Sequence, residues 1–507
     1  MSETGAAPRG PDLTKGVPAS EVAEGAFLVG HVGESAVLVA RVDGTLSAIG
    51  ATCTHYHAPL GDGVLIGDTM RCPWHHARFC LRTGEAIGAP AIDPVDRWRV
   101  EERNGLVFVR EKDFAPAAKR APAKGGAIPR RIVVVGGGGA GFAAAEMLRR
   151  EGYDGALTIV SADGDPPYDR PNCSKDFLAG AAPRDWMPLR DTAFYDQSQI
   201  DLRTGVEVGA LDLQAHSVVL KDGVSLPFEA LILATGAEPI RPPIPGFDQA
   251  NVYVLRSLRD SEAIIRDATP ERRVAIVGAS FIGLEVAAAM VDRGLDVHVI
   301  APEATPLARV LGEELGRFIR SVHEAEGVTF HLGRSVTGFA GGRVALDDGD
   351  SVPADFVVVG VGVRPRTDLA SGAGLAVDRG IVVDARLQTS VPGVYAVGDI
   401  ARYPFHLTGE LIRAEHWVAA QRQGQHAARV VLGLADAFRE TPFFWSAHYG
   451  TTINYVGHAE TFDTAEIEGS IAGGSATVRF KNRGRLLAAA TLGRDLESLD
   501  LEIGFDA

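Results

Sequence analysis

Twice in 507 residues the chain carries the same local instruction: a run of β-branched residues, a glycine-rich turn, then a helix-forming stretch. RIVVVGGGGAGFAAAEMLRR places Gly136, Gly138 and Gly141 at G-x-G-x-x-G spacing. RRVAIVGASFIGLEVAAAMVDRG repeats the pattern as Gly278, Ser280 and Gly283, with a serine in the middle place that makes the second turn slightly tighter for a ligand. A glycine motif alone is a weak signal. Strand before and helix after make it a dinucleotide fingerprint, because the bare turn lets a pyrophosphate approach the helix N-terminus. Two such units predict two Rossmann-like α/β domains and two dinucleotides, a flavin with a nicotinamide being the commonest pair.

A second signal lies nearer the front, where Cys53-Thr-His55 and Cys72-Pro-Trp-His75 set two thiols and two imidazoles on two short arms. Two cysteines can hold one iron and two histidines the other, the ligand pattern of a Rieske two-iron two-sulfur (2Fe-2S) cluster. The same four donors could hold zinc. Zinc fingers, however, usually pair like with like within an arm, whereas each arm here carries one Cys and one His. Cys80, past the second arm, reads as a buried small apolar residue, and His57 and His76 stand outside the ligand set.

Length predicts three or four domains, and 46% hydrophobic residues suffice for ordinary cores. The formal charge of −15 divides into about −3 for residues 1–112 and −12 for the rest, which makes nucleic acid an unsuitable partner. Four cysteines, two of them committed to iron, argue for a reducing compartment rather than a disulfide framework. The first residues, MSETGAAPRGPDLTKG, are polar, and no run of about 18 apolar residues occurs. A soluble, cytoplasmic protein without membrane partners is expected.

The chain thus reads as multidomain. A flexible N-terminus (1–20) precedes an all-β Rieske domain (21–112) with strand strings such as AVLVARVDGTLSAI. The Pro/Ala/Lys/Gly stretch 113–129 reads as a linker reaching up to about 50 Å. Residues 130–243 and 365–440 are expected to form the FAD domain and 244–364 the inserted NAD(H) domain. The tail, 441–507, reads as a C-terminal α+β domain.

Beyond the glycine turns, PPYDRPNCSKDFLAG, LILATGAEP, VVVGVGVRP, VYAVGDIA, AEHWVAAQRQG and PFFWS fall in an order that closely resembles the two-dinucleotide flavoprotein reductases. The resemblance is to apoptosis-inducing-factor-like proteins and oxygenase-coupled ferredoxin reductases, one branch of which carries a fused Rieske domain. It implies that Arg170 and Lys175 contact FAD, with Lys175 near the flavin and paired to Glu285 on the nicotinamide side. A cation there would stabilise reduced flavin. It also implies that Asp399, beside Gly398, meets the ribityl chain, that Glu415, His416 and Trp417 flank the flavin, that Thr235 and Gly236 line the turn where the domains meet, and that Gly362 belongs to the cofactor-binding set. Phe281 would lie across the nicotinamide pocket and Trp445 near the flavin. High-potential Rieske proteins add serine and tyrosine bonds to sulfur and a disulfide; Ala77, Phe79, Ala58 and Trp74 occupy those places here. The expected potential is therefore at the low end, about −150 mV.

Glu303 follows Gly278 by twenty-five residues at the second strand end, where a carboxylate bonds a ribose 2′-hydroxyl and repels a 2′-phosphate, so NADH is preferred over NADPH, with Arg309 as the opposing feature. In the first unit Ala162 replaces the usual acid and Asp163 is the substitute for the FAD ribose contact. Cys173 stands where relatives usually have leucine, close to a redox cysteine of some flavoprotein peroxidases and disulfide reductases. The expected activity is NADH-dependent reduction of FAD, transfer to the chain's own cluster, and export to an external one-electron acceptor: an oxygenase, a cytochrome or another redox protein. Alternatives are an NADH-sensing interaction protein and a Cys173-dependent peroxide or disulfide reductase. Either a monomer or a homodimer is compatible.

Overall fold

The computed structural model describes residues 10–113 and 128–506. Its contacts separate two units among the described residues: one is residues 10–113 together with 495–505, the other essentially 128–494. Most of the 113–129 linker and the first nine residues lie outside the described residues.

Short strands separated by glycine turns in the first unit form a six-stranded antiparallel sheet, ordered Val17–Pro18, Leu106–Lys112, Arg97–Arg103, Thr45–Gly50, Ser35–Val42, Phe27–Val32. A four-stranded sheet (Val64–Ile66, Thr69–Arg71, Arg78–Cys80, Ala86–Gly88) carries the two arms at its end. Residues 10–20 correct the expected flexible lead-in. Leu13 is fully buried and Val17 pairs with Val107, because the sheet's edge offers both an apolar socket and unpaired backbone groups. The helix Asp495–Asp506 also departs from the expected boundary: residues 495–505 group with this first unit rather than with the preceding strands. Its buried residues Ser498, Leu499, Glu502 and Phe505 recur at helical spacing and form one face.

In the second unit each glycine turn follows the central strand of a five-stranded parallel sheet. The first sheet runs Ile200–Arg203, Ala156–Val160, Arg131–Val135, Ala230–Leu233, Val394–Ala396; the second runs Val252–Val254, Phe356–Val359, Arg273–Val277, Asp296–Ala301, Thr329–Leu332. Each also has a three-stranded antiparallel meander, 208–227 and 336–353. Val133, Val134, Ala275 and Ile276 are buried on both faces, as strands between helical layers must be. A five-stranded antiparallel sheet (443–492) follows. No helix among the described residues is long and apolar enough to cross a membrane.

Candidate functional site

The two arms of the first unit are built alike. Each is closed by its cysteine's N–H donating to the carbonyl five residues on, Cys53 to Ala58 and Cys72 to Ala77, both at 2.8 Å. Each contains a histidine in left-handed backbone, His57 at φ 61° and His76 at φ 58°. These turns bring like donors together: the Cys53 and Cys72 thiols hydrogen-bond one another, and the Nδ1 atoms of His55 and His75 face each other at 3.1 Å. The bond from Cys72 draws the Cys53 thiol down, and the same bond, with burial, pushes Cys72 up. Burial pushes His55 down to about 3, keeping its imidazole neutral and able to ligate. Backbone N–H groups of His55 and Tyr56 point to the Cys53 sulfur and those of Trp74 and His75 to Cys72. Among the described residues no group of three or more His, Cys, Asp or Glu side chains is drawn together as a metal site. A thiol pair beside an imidazole pair fits a two-iron cluster with one pair per iron.

In the second unit both glycine turns open into one cavity of ≈ 1470 Å³. That exceeds the roughly 300–1,000 Å³ of an ordinary single-ligand pocket. Gly136, Gly138, Asp163, Arg170, Lys175, Thr235, Gly236, Ser280, Phe281, Glu285, Gly362, Gly398, Asp399, Glu415, His416, Trp417 and Trp445 all line it. Gly141 and Gly283 do not, and their role is packing. A Cβ on Gly141 would stand 1.9 Å from the Gly136 carbonyl oxygen, and one on Gly283 would stand 2.1 Å from that of Gly278. Gly138, by contrast, faces open space, with only Arg170 Nη2 at 3.8 Å from its ideal Cβ, and it starts the helix Gly139–Arg150 without any side-chain cap. An uncapped helix N-terminus beside a guanidinium is a cradle for a dinucleotide phosphate. Gly278 lies behind the cavity wall, and Glu303 is an exposed residue just beyond the strand Asp296–Ala301.

The most closely bonded part of the cavity surrounds Glu285, which is 4% exposed. One carboxylate oxygen accepts from Lys175 Nζ and Ser174 Oγ, each at 2.7 Å, and the other from Ser446 Oγ at 2.7 Å. Three donors offset the desolvation of this carboxylate and aim the ammonium into the cavity. Arg256 pairs with Asp399 across it. Phe281 stacks edge-on against Phe444 (5.0 Å), which lies flat on His416 (4.4 Å). Trp417 packs on the first turn, its ring 2.7 Å from an ideal Cβ on Gly139. Asp163 accepts from the Tyr168 hydroxyl at 2.8 Å. Burial pushes the Cys173 thiol up to about 12, which disfavours a thiolate. Sequence reasoning missed Arg256, Ser174 and Ser446. Only Ser174 and Ser446 had a local signal, the strings NCSK and FFWS.

The sequence matches two families: "Pyridine nucleotide-disulphide oxidoreductase" over residues 130–424 and "Rieske [2Fe-2S] domain" over residues 14–99. It is 32% identical over 458 residues to human apoptosis-inducing factor 3, covering 87% of this chain and 75% of that protein. It is 39% identical over 361 residues to the ferredoxin–NAD(+) reductase component of the anthranilate 1,2-dioxygenase system of Burkholderia cepacia, covering 69% of this chain and 88% of that one. Among solved structures it resembles the reductase of the covalent putidaredoxin reductase–putidaredoxin complex, with TM-score 0.72 and 33% identity over 74% of this chain and 93% of that one.

Proposed function

Because this chain belongs to the pyridine nucleotide-disulphide oxidoreductase family and carries a Rieske [2Fe-2S] domain ahead of the reductase, we propose that it passes electrons from NADH through FAD to its own cluster and on to an external one-electron acceptor. The family implies FAD and NAD(H), and the Rieske domain a 2Fe-2S cluster; the chain is an NAD(P)H-dependent FAD oxidoreductase. FAD, when bound, supplies the conversion between two-electron and one-electron transfer.

The observation that carries the reading is that both nucleotide turns share one cavity with the Lys175–Glu285 pair between them. Gly138 and Arg170 would receive the FAD pyrophosphate, with Asp163 toward its ribose and Asp399 toward its ribityl chain. Lys175, held by Glu285, places a positive charge where reduced flavin would gather negative charge. Phe281 would shield the nicotinamide from water, while His416, Trp417 and Trp445 would bound the flavin. Glu303 supports NADH over NADPH. Cys53 and Cys72 would hold one iron and His55 and His75 the other. Relatives named as oxygenase reductases and a reductase–putidaredoxin complex support a small redox protein or an oxygenase as acceptor. Four free cysteines support a reducing, cytoplasmic setting.

Anaerobic NADH titration of iron-replete protein, followed by absorbance and low-temperature EPR, tests this. The flavin bands should bleach as a Rieske-type signal grows in. Bleaching without that signal rules out internal transfer, and Cys53→Ser should remove the signal while flavin reduction survives.

A further inference from the structure

The second ligand arm, Cys72 to His75, is bracketed by Arg71 on one side and His76 on the other. Both brackets meet the same carboxylate. Glu502 Oε2, in the C-terminal helix, lies 2.9 Å from His76 Nδ1 and 3.6 Å from Arg71 Nη1. The His76 and Glu502 side chains are completely buried and that of Arg71 is 13% exposed. A carboxylate only accepts, so Nδ1 carries the hydrogen of that bond.

Two features of this contact are costly unless it has a use. A carboxylate removed from water persists only where donors replace the solvent. The two partners are also 426 positions apart, so the contact is closed against the entropy of a very long loop. Burial and long range converge on the residue that directly follows a ligand.

We propose that Glu502 is a positioning residue for the cluster: from the end of the chain it clasps both brackets of the second ligand arm, so that Cys72 and His75 hold their iron firmly only while the C-terminal helix is docked. The inference rests on the reading of Cys53, His55, Cys72 and His75 as cluster ligands. Removal of hydrogen-bonding groups that orient metal ligands typically costs about 10–100-fold in metal retention. The carboxylate also contributes a buried negative charge beside the arm, which disfavours the reduced, more negative cluster; its loss raises the potential.

Full-length wild type, E502A, E502Q and D500N are compared. Asp500 lies on the exposed face of the same helix, so D500N removes an equal charge without touching the arm. Readouts are the rate of iron release to a chelator, the EPR-monitored midpoint potential, and hydrogen exchange of residues 71–80. E502A should release iron about 10–100-fold faster with raised exchange in the arm. E502Q, which keeps an acceptor for His76, should hold iron nearer to wild type but shift its potential upward, and D500N should match wild type throughout. Flavin content and melting of E502Q establish that the variant is folded. Wild-type release, exchange and potential in both Glu502 variants overturn the clasp while leaving the cluster reading intact. A wild type with no Rieske-type signal after reconstitution overturns the cluster reading, and the clasp with it.

Discussion

The two glycine turns begin as near copies and diverge at one side chain. The helix Gly139–Arg150 starts on Gly138, which brings nothing to the helix end. The helix Phe281–Asp292 starts on Ser280, whose hydroxyl accepts from the Gly283 N–H at 3.2 Å and donates to the Gly360 carbonyl at 2.7 Å. Strand, first glycine and third-glycine packing are otherwise alike, with φ 117° at Gly136 and 108° at Gly278. An open helix end keeps its N–H donors for a resident phosphate, whereas a capped one satisfies a donor when no ligand is there. The first arrangement suits a cofactor that stays and the second a nucleotide that exchanges.

The largest effects should come from the third glycines, where a methyl meets backbone that cannot give way. In G141A the new Cβ would stand 1.9 Å from the Gly136 oxygen, and in G283A 2.1 Å from the Gly278 oxygen. Each should cost local stability at the upper end for a point change, about 4–5 kcal/mol. The two losses should separate: G141A should purify without flavin, whereas G283A should stay yellow and lose bleaching by NADH. Flavin per chain after desalting, with NADH titration, reads both, and a colourless G283A would break the division of labour between the turns.

What could be read from sequence was what neighbours in the chain determine. Both glycine turns and both metal arms depend on residues a few positions apart, and the Lys175–Glu285 pair came through the family resemblance, Lys175 within PPYDRPNCSKDFLAG and Glu285 in the string after the second glycine turn. Arg256 belongs to no motif and acquires meaning only when Asp399, 143 positions on, is brought to it. Ser446 and Glu502 likewise depend on partners more than a hundred residues away. Glycine spacing also did not distinguish exposure to ligand from packing: Gly141 and Gly283 serve their own helices, and Gly278 and Glu303 stand outside the cavity lining. The lead-in at residues 10–20 looked flexible because Leu13 and Val17 are isolated apolar residues in a polar string, and only the sheet edge explains them.

Between the two turns, K175M should leave flavin content unchanged and slow flavin reduction by NADH about 10²–10³-fold, the usual effect of removing one electrostatic group. Stopped-flow absorbance at 450 nm measures it. Flavin loss in K175M would instead make the lysine part of the resident-cofactor site.

Acid should act on the core that backs the second turn. His323 Nε2 and His448 Nδ1 lie 3.1 Å apart with both rings fully buried, beside the apolar cluster that includes Leu284 of the second helix. Burial pushes both imidazoles down to about 3, so protons prefer the unfolded chain. The stability they contribute is complete above about pH 6.5 and is lost as the pH falls, by about 2 kcal/mol at pH 5 for one imidazole. Melting should drop by about 4–8 °C from pH 7.5 to 5 on this account, and less in H323L/H448F. Equal acid sensitivity in that double variant would remove the pair as the cause.

The smallest change tests the comparison most directly, because S280G turns the second helix end into a copy of the first. Glycine is nearly as good as serine at an N-cap, so the loss of stability should be a few tenths of a kcal/mol and melting almost unmoved. Flavin content should not change, since the first turn is untouched. The Gly283 N–H that Ser280 now occupies becomes available to a nucleotide phosphate, and one hydrogen bond is worth about 2–10-fold in affinity. NADH and NAD should both bind more tightly by that factor, so KM falls and, where NAD departure limits turnover, kcat falls with it. If S280G binds NADH more weakly, the hydroxyl is itself a ligand to the phosphate, and the serine is a contact rather than a cap.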